Sequence, residues 1–149
     1  MAKLSTERKP RHARKSKKWY ADGLRFTCKK CRICCSGEPG YIWVTENEIV
    51  KISAYLGMSL RAFTDEYTRP AGPGYSLKEL PGGDCVFLGK SGCNIYKVRP
   101  VQCSTWPFWK RNLRSREAWE ECCIACQGSG QGRRHTFSEI ERSILKSDH

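Results

Sequence analysis

Apolar residues recur at helical spacing in residues 49–56, between two residues that are typical of helix ends. Thr45 precedes this stretch, and Glu48 follows three residues later, which is the spacing of a capping box. Gly57 comes directly after the last apolar position, where a left-handed residue often ends a helix. The pattern therefore predicts a helix from Thr45 to Gly57.

The same spacing predicts three further helices. One begins at Ser59 and ends before Pro70, because the residue before a proline disfavours helical geometry. Another follows Ser115, and the last follows Thr136, which opens a second capping box. The last helix is expected to direct three apolar side chains inward: Ile140, Ile144 and Leu145.

Several short stretches read as β-strands. Leu24 and Phe26 alternate with polar residues, and Tyr41–Val44 is a short β-type run. The segments 75–80, 85–88 and 93–96 are separated by glycine-rich turns, which predicts a small β-meander or a pair of hairpins. Two glycine-rich stretches, 71–74 and 128–132, are interpreted as breaks between elements. The fold class predicted is α+β: a small, irregular, cysteine-rich domain with several short helices and a small antiparallel meander.

Charge and hydropathy divide the 149 residues into a tail and one domain. The net charge is +12, and the first 20 residues hold eight Lys and Arg against one acid, Glu7. We expect residues 1–18 to be a disordered basic tail, since they offer too little apolar surface to fold, and residues 19–146 to form the domain. The longest apolar runs fall far short of the ~20 residues that span a bilayer, so no membrane partner is expected.

The basic tail has three interpretations. It could contact nucleic acid or an acidic partner through its charges, or simply be a solvated extension, which we favour. No apolar secretory segment follows the basic N-terminus, so we expect a cytoplasmic, reducing location.

Ten cysteines are the strongest chemical signal in the chain. Four lie within the eight residues Cys28–Cys35, in a C-x2-C-x2-C-C run, which packing alone does not explain. The remaining six are Cys85, Cys93, Cys103, Cys122, Cys123 and Cys126. In a reducing compartment such clustering favours metal ligation over disulfides.

The spacing indicates zinc or iron without choosing between them. C-x2-C pairs are typical of zinc sites, and C-x2-C-x2-C begins the ferredoxin motif, although that motif's fourth cysteine and proline are absent here. Lys29, Lys30 and Arg32 would offset thiolate charge; equally, they would activate a free catalytic thiol or suit an acidic partner. The aromatic segment 106–109 is interpreted as a lid over the core or the metal site. No P-loop, dinucleotide fingerprint or Ser/His/Asp order is present.

The chain resembles the CxxCxxCC family of bacterial proteins, also called the YkgJ-type cysteine-cluster family and described as a zinc- or iron-chelating domain. The resemblance runs from about Trp19 to Ile144. Its motifs occur in order, and they are Cys28–Cys35, Asp84–Leu88, Cys93–Cys103, Trp106–Phe108 and Cys126–Gly132.

This resemblance implies a set of eight metal ligands: Cys28, Cys31, Cys34, Cys35, Cys85, Cys93, Cys103 and Cys126. Eight thiolates suit two four-ligand sites, or one iron–sulfur cluster with spare thiols. Cys122 and Cys123 lie outside the family pattern and are assigned to packing, with ligation or redox work as the alternative.

The chain departs from the family pattern beside its cysteines. Lys30 and Arg32 stand where the family commonly has small residues, often glycine. Ser104 replaces a common arginine, and Gln127 replaces a common proline. No cysteine is lost, so metal binding is still expected.

Three functions therefore stand at this point. The first is a zinc- or iron-binding protein, its cofactor a metal ion or an iron–sulfur cluster. The second is an iron–sulfur redox or protein-modifying enzyme, because the family looks similar to the cysteine-rich part of flagellin lysine N-methylases. The third is a nucleic-acid-binding module that uses the basic tail.

Overall fold

A computed structural model describes residues 17–37 and 40–148 of the chain. The predicted basic tail, residues 1–18, lies outside the described residues except for Lys17 and Lys18. The Lys18 ammonium forms an ion pair with Glu141 at 2.8 Å, which joins the start of the described chain to its last helix.

The described residues form short helices and strands, and this confirms the predicted α+β class. The strands are β1 (Leu24–Phe26), β2 (Trp43–Val44), β3 (Thr68–Ala71), β4 (Gly74–Leu77), β5 (Leu88–Gly89), β6 (Gly92–Cys93) and β7 (Ser129–His135). The helices are α1 (Glu46–Leu56), α2 (Leu60–Tyr67), α3 (Val101–Ser104), α4 (Lys110–Leu113), α5 (Arg116–Ala125) and α6 (Phe137–Ser147). Within this part of the chain, no helix is both long and apolar enough to cross a membrane.

The strands pair into three small antiparallel sheets, with the orders β1-β7, β2-β4-β3 and β5-β6. The predicted segments 75–80, 85–88 and 93–96 do not form one meander, because β4 pairs with β2 and β3, whereas β5 and β6 form a separate hairpin. Residues 71–74 separate two elements as predicted, since they form the tight turn of the β3-β4 hairpin, in which Ala71 pairs with Gly74. Tyr96 does not continue a strand, since it begins a 3₁₀ turn, Tyr96–Val98.

The glycine-rich stretch 128–132 follows the end of α5, as predicted, and continues into strand β7. Gly132 has a φ of 77°, and a Cβ placed on it would lie 2.2 Å from the Thr27 hydroxyl oxygen. Glycine is needed here because the backbone of β7 approaches the end of β1 too closely for a side chain. The local sequence shows only that these glycines end a helix. The need for glycine at position 132 follows from the close approach of Thr27, which the local sequence does not reveal.

The predicted helix starts are confirmed. Thr45 and Thr136 each complete a capping box with the glutamate three residues on, and Gly57 ends α1 with a φ of 67°. One orientation in α6 is wrong: the Leu145 side chain is 73% exposed, whereas Ile140 is fully buried. Leu145 lies on the face of α6 that is exposed in the described chain, whereas Ile140 and Ile144 face the core.

Two apolar clusters form the core. The first joins α1, α2 and the β2-β4-β3 sheet, and its buried residues are Val44, Ile49, Ile52, Phe63, Leu77, Cys85, Phe87 and Ile95. The second joins α4, α5 and α6, and its buried residues are Tyr20, Phe108, Leu113, Trp119, Cys122, Ile140 and Ile144. Beside the first cluster, Arg69 of β3 and Glu79 form a partly buried ion pair at 2.9 Å.

Candidate metal centre

The cysteine run folds back on itself through two left-handed residues. Lys30 and Arg32 have φ values of 54° and 69°, a region that side chains with a Cβ rarely occupy. A 3₁₀ turn, Ile33–Cys35, follows, and the Cys35 amide donates to the Arg32 carbonyl oxygen at 2.9 Å. The turn brings the Cys34 and Cys35 sulfurs to 3.8 Å. The run is therefore compact, with two neighbouring thiols at its end.

A backbone hydrogen bond joins the next cysteine to this run. The Cys85 amide donates to the Cys35 carbonyl oxygen at 2.7 Å, which places the buried Cys85 side chain beside the run. Cys93 pairs with Leu88 across the short β5-β6 hairpin, whose turn uses Gly92 at a φ of 118°. The hairpin thereby carries a sixth thiol to the same side of the molecule.

Glu48 positions the helix that carries Cys103. One of its carboxylate oxygens accepts from the Thr45 amide at 2.7 Å, which completes the capping box of α1. The other accepts from the amide of Val101, the first residue of α3, at 2.6 Å. A single carboxylate thus caps two helices at once, and fixes α3 against α1.

Cys126 lies at the end of α5, in a loop rich in hydrogen-bond donors. A Cβ on Gly128 would lie 2.3 Å from the Thr27 carbonyl oxygen, so only glycine allows this loop its path. Burial raises the pKa of Cys126, but hydrogen bonds from the Ser129 hydroxyl and from the Gly128 and Ser129 amides, together with the nearby Trp106 indole N–H, outweigh burial and lower the pKa. Of the cysteines whose pKa departs from the ordinary thiol value, only Cys126 has a lowered pKa.

All eight cysteines of the expected ligand set line one cavity of about 330 Å³. It lies between the two apolar clusters, with Phe87 and Ile95 of the first cluster and Trp106 at the edge of the second in its walls. Cys122 and Cys123 do not line it; the Cys122 sulfur instead lies 3.7 Å from the Ser129 hydroxyl oxygen. The cavity thus separates the ten cysteines into the same two groups that the family resemblance does.

The ten described cysteines are free thiols. In residues 17–37 and 40–148, no three Cys, His, Asp or Glu side chains converge closely enough to form a preformed metal site. The eight thiols share a cavity, and their side chains would have to rotate inward to ligate.

Burial and neighbouring thiols favour the protonated form of four of the eight cysteines: Cys34, Cys85, Cys93 and Cys103. Burial raises the pKa of Cys85 to about 11, and burial together with the neighbouring thiols raises the pKa of Cys103. The hydrogen bond with Cys35 raises the pKa of Cys34. Arg99 opposes this trend by lowering the pKa of Cys93 and Cys103, although burial still dominates. A bound metal ion would favour the thiolate form of these four cysteines.

Sequence reasoning anticipated Trp106 as a cover for the site but missed its polar role. The indole nitrogen of Trp106 is buried, and it makes no hydrogen bond of normal geometry within the described chain. It is nevertheless close enough to the Cys126 sulfur to lower the pKa of that thiol. Two other residues of the site were also missed: Ser129, which hydrogen-bonds to Cys126, and Tyr96, which lines the cavity. Neither residue has a distinctive spacing in the sequence.

Comparison with known proteins identifies the family of the chain. The chain is 38% identical over 93 residues to "Uncharacterized protein MJ0661" of Methanocaldococcus jannaschii, an alignment that covers 60% of this chain and 48% of that protein. The chain thus spans about half the length of this relative. No solved structure matches this chain significantly. The model of the CxxCxxCC family, described as "Putative zinc- or iron-chelating domain", matches residues 27–127. Since this match covers more than half of the sequence, the chain belongs to the CxxCxxCC family.

Proposed function

We propose that the protein binds zinc or iron through the thiolates of eight cysteines: Cys28, Cys31, Cys34, Cys35, Cys85, Cys93, Cys103 and Cys126. One observation carries the proposal. Five separate segments of the chain bring these eight side chains, and neither Cys122 nor Cys123, to one cavity.

The chemistry of the donors fits this group of metals. Thiolates favour zinc, copper(I) and iron–sulfur iron, and each such site commonly takes four of them. The buried Trp106 indole N–H lacks a normal partner, and a metal-bound thiolate at Cys126 is a stronger acceptor than a neutral thiol. Arg99 supplies positive charge beside Cys93 and Cys103, which partly offsets the charge of thiolates.

Eight thiolates suit two four-ligand zinc sites, or one iron–sulfur cluster with spare thiols. An iron–sulfur cluster would extend the function to electron transfer or to an enzyme, and a reducing cytoplasm would keep the thiols free for either metal. Anaerobic purification with metal and acid-labile sulfide analysis separates the two. Colourless protein with two zinc ions and no sulfide supports zinc; brown protein with iron and sulfide supports a cluster.

The ligand assignment is tested with a matched pair of variants. Cys34→Ser removes a proposed ligand, and we expect it to lose at least one metal equivalent. Cys122→Ser is the control: its hydroxyl can bond to Ser129, and it should retain full metal content. Equal metal loss in both variants, or in neither, would contradict the assignment.

A further inference from the structure

Five cations line the opening of the thiol cavity, and no acidic residue does. We call them the cationic mouth: Lys29, Lys30, Arg32, Lys97 and Arg99. The cavity's lining residues within the described chain include no Asp or Glu. None of the five forms an ion pair with an acid in the described residues. Among the described residues, positive charge is thus concentrated at the mouth without an acidic partner.

Two of these cations occupy backbone positions that suit glycine. Lys30 and Arg32 are the described non-glycine residues with positive φ, at 54° and 69°. A Cβ in this conformation costs free energy that glycine avoids. Strain of this kind persists mainly where the side chain has a function. Because the Lys30 and Arg32 side chains are both exposed, we attribute this function to their positive charges.

The mouth does more than neutralise thiolates. Arg99 acts directly on Cys93 and Cys103, as described above. The Lys30 ammonium, in contrast, lies 5.7 Å from the centre of the Tyr96 ring, and the Arg99 guanidinium lies 3.9 Å from the same centre. Arg32 reaches the Lys90 carbonyl oxygen at 3.4 Å. The Lys30 and Arg99 charges thus meet at one exposed ring, that of Tyr96, where they repel each other and an anion bound between them would relieve that repulsion.

The cavity also has room for more than metal ions. Its volume of about 330 Å³ is at the lower end of small-molecule sites. In the metal-free protein, the space between the thiols and the cationic mouth therefore fits a small molecule of a few non-hydrogen atoms.

We propose that the cationic mouth binds a small oxyanion, a carboxylate or a phosphate, above the thiols of the cavity. Guanidinium and ammonium groups are the donors that bind both kinds of oxyanion in proteins. The proposal goes beyond metal binding, and it rests on the charge and shape of the mouth with or without a bound metal.

The test is calorimetric titration of inorganic phosphate and, separately, of succinate into zinc-loaded and metal-free protein. Saturable binding of either anion supports the proposal and identifies its chemical class. The double variant K30G/R32G removes two charges and relieves the left-handed strain, so it should fold at least as well as the natural chain. We expect it to bind the anion at least tenfold more weakly in the metal-free protein, where a change in zinc affinity cannot contribute.

Lys97→Ala provides a second variant outside the cysteine run, and it should weaken anion binding severalfold. The control is the double variant K51A/K146A, which removes two exposed charges from α1 and α6 and should change anion affinity less than twofold. Equal weakening in K30G/R32G and K51A/K146A would show only a diffuse field and overturn the proposal.

Two further outcomes are decisive. If the protein binds neither phosphate nor succinate but does bind polyglutamate, its partner is an acidic polypeptide, and this result would also overturn the proposal. Anion binding by a protein that takes up no metal would contradict the metal proposal and leave the anion site standing. The zinc content of every sample is therefore measured beside its anion affinity.

Discussion

Replacement of Glu48 should affect both the stability of the fold and metal binding in the thiol cavity, because this side chain caps two helices and one of them carries Cys103. Its carboxylate accepts from the Val101 amide at 2.6 Å in a partly buried position, and from the Thr45 amide at 2.7 Å near the surface. Hydrogen bonds to charged groups contribute about 1.5–3 kcal/mol, and an exposed capping bond contributes about 0.5–1 kcal/mol. We therefore expect Glu48→Ala to lower the free energy of unfolding by about 2–4 kcal/mol.

The assay is urea denaturation of the metal-free protein, followed by zinc competition with a chromophoric chelator. Because Glu48 holds the helix that carries Cys103, its loss should also weaken zinc binding by about tenfold, as is usual for outer-shell changes. Glu46→Ala is the matched control, since Glu46 lies in the same first turn of α1 and is exposed. If both variants lose the same stability, the bond to Val101 contributes nothing and the reasoning fails.

Three other predictions test the framework around the site. Gly128→Ala should destabilise by about 1–3 kcal/mol in urea, because its Cβ meets a backbone oxygen, whereas Gly74→Ala, which meets nothing within 4 Å, should fold normally. In thermal melts, Ile140→Ala should cost about 2–5 kcal/mol and Leu145→Ala almost nothing, since their exposures are 0% and 73%; similar costs would contradict the packing. The hydrogen bond from Arg69 lowers the pKa of Glu79, so this ion pair stabilises the folded protein fully above the ordinary glutamate pKa. That contribution to the free energy of unfolding should be lost as the pH falls through the lowered pKa of Glu79. A Glu79→Gln variant that shows the same acid-dependent loss, measured by urea midpoints from pH 7 to about 3, would refute this.

Helix starts were predictable because their causes are local. Thr45 and Thr136 satisfy the free amides of their own first turns, so three or four residues contain the whole signal. Gly57 ended α1 as its position predicts, for the same reason. The strands were less predictable, since a hairpin turn at 71–74 and a glycine-rich strand at β7 both depend on a partner elsewhere in the chain.

By itself, the sequence determined the chemistry available to the protein: ten cysteines, four of them in one run, and enough family motifs to name eight as ligands. Tertiary structure alone decided that those eight meet in one cavity, because Cys85, Cys93, Cys103 and Cys126 arrive there through long-range contacts such as the Cys35–Cys85 backbone bond. It also decided that Cys122 packs away from the cavity although it lies only four residues before Cys126. The spacing of residues along the chain determines which side chains are neighbours within one helix or strand. Whether cysteines from different segments come together depends on how the helices and strands pack.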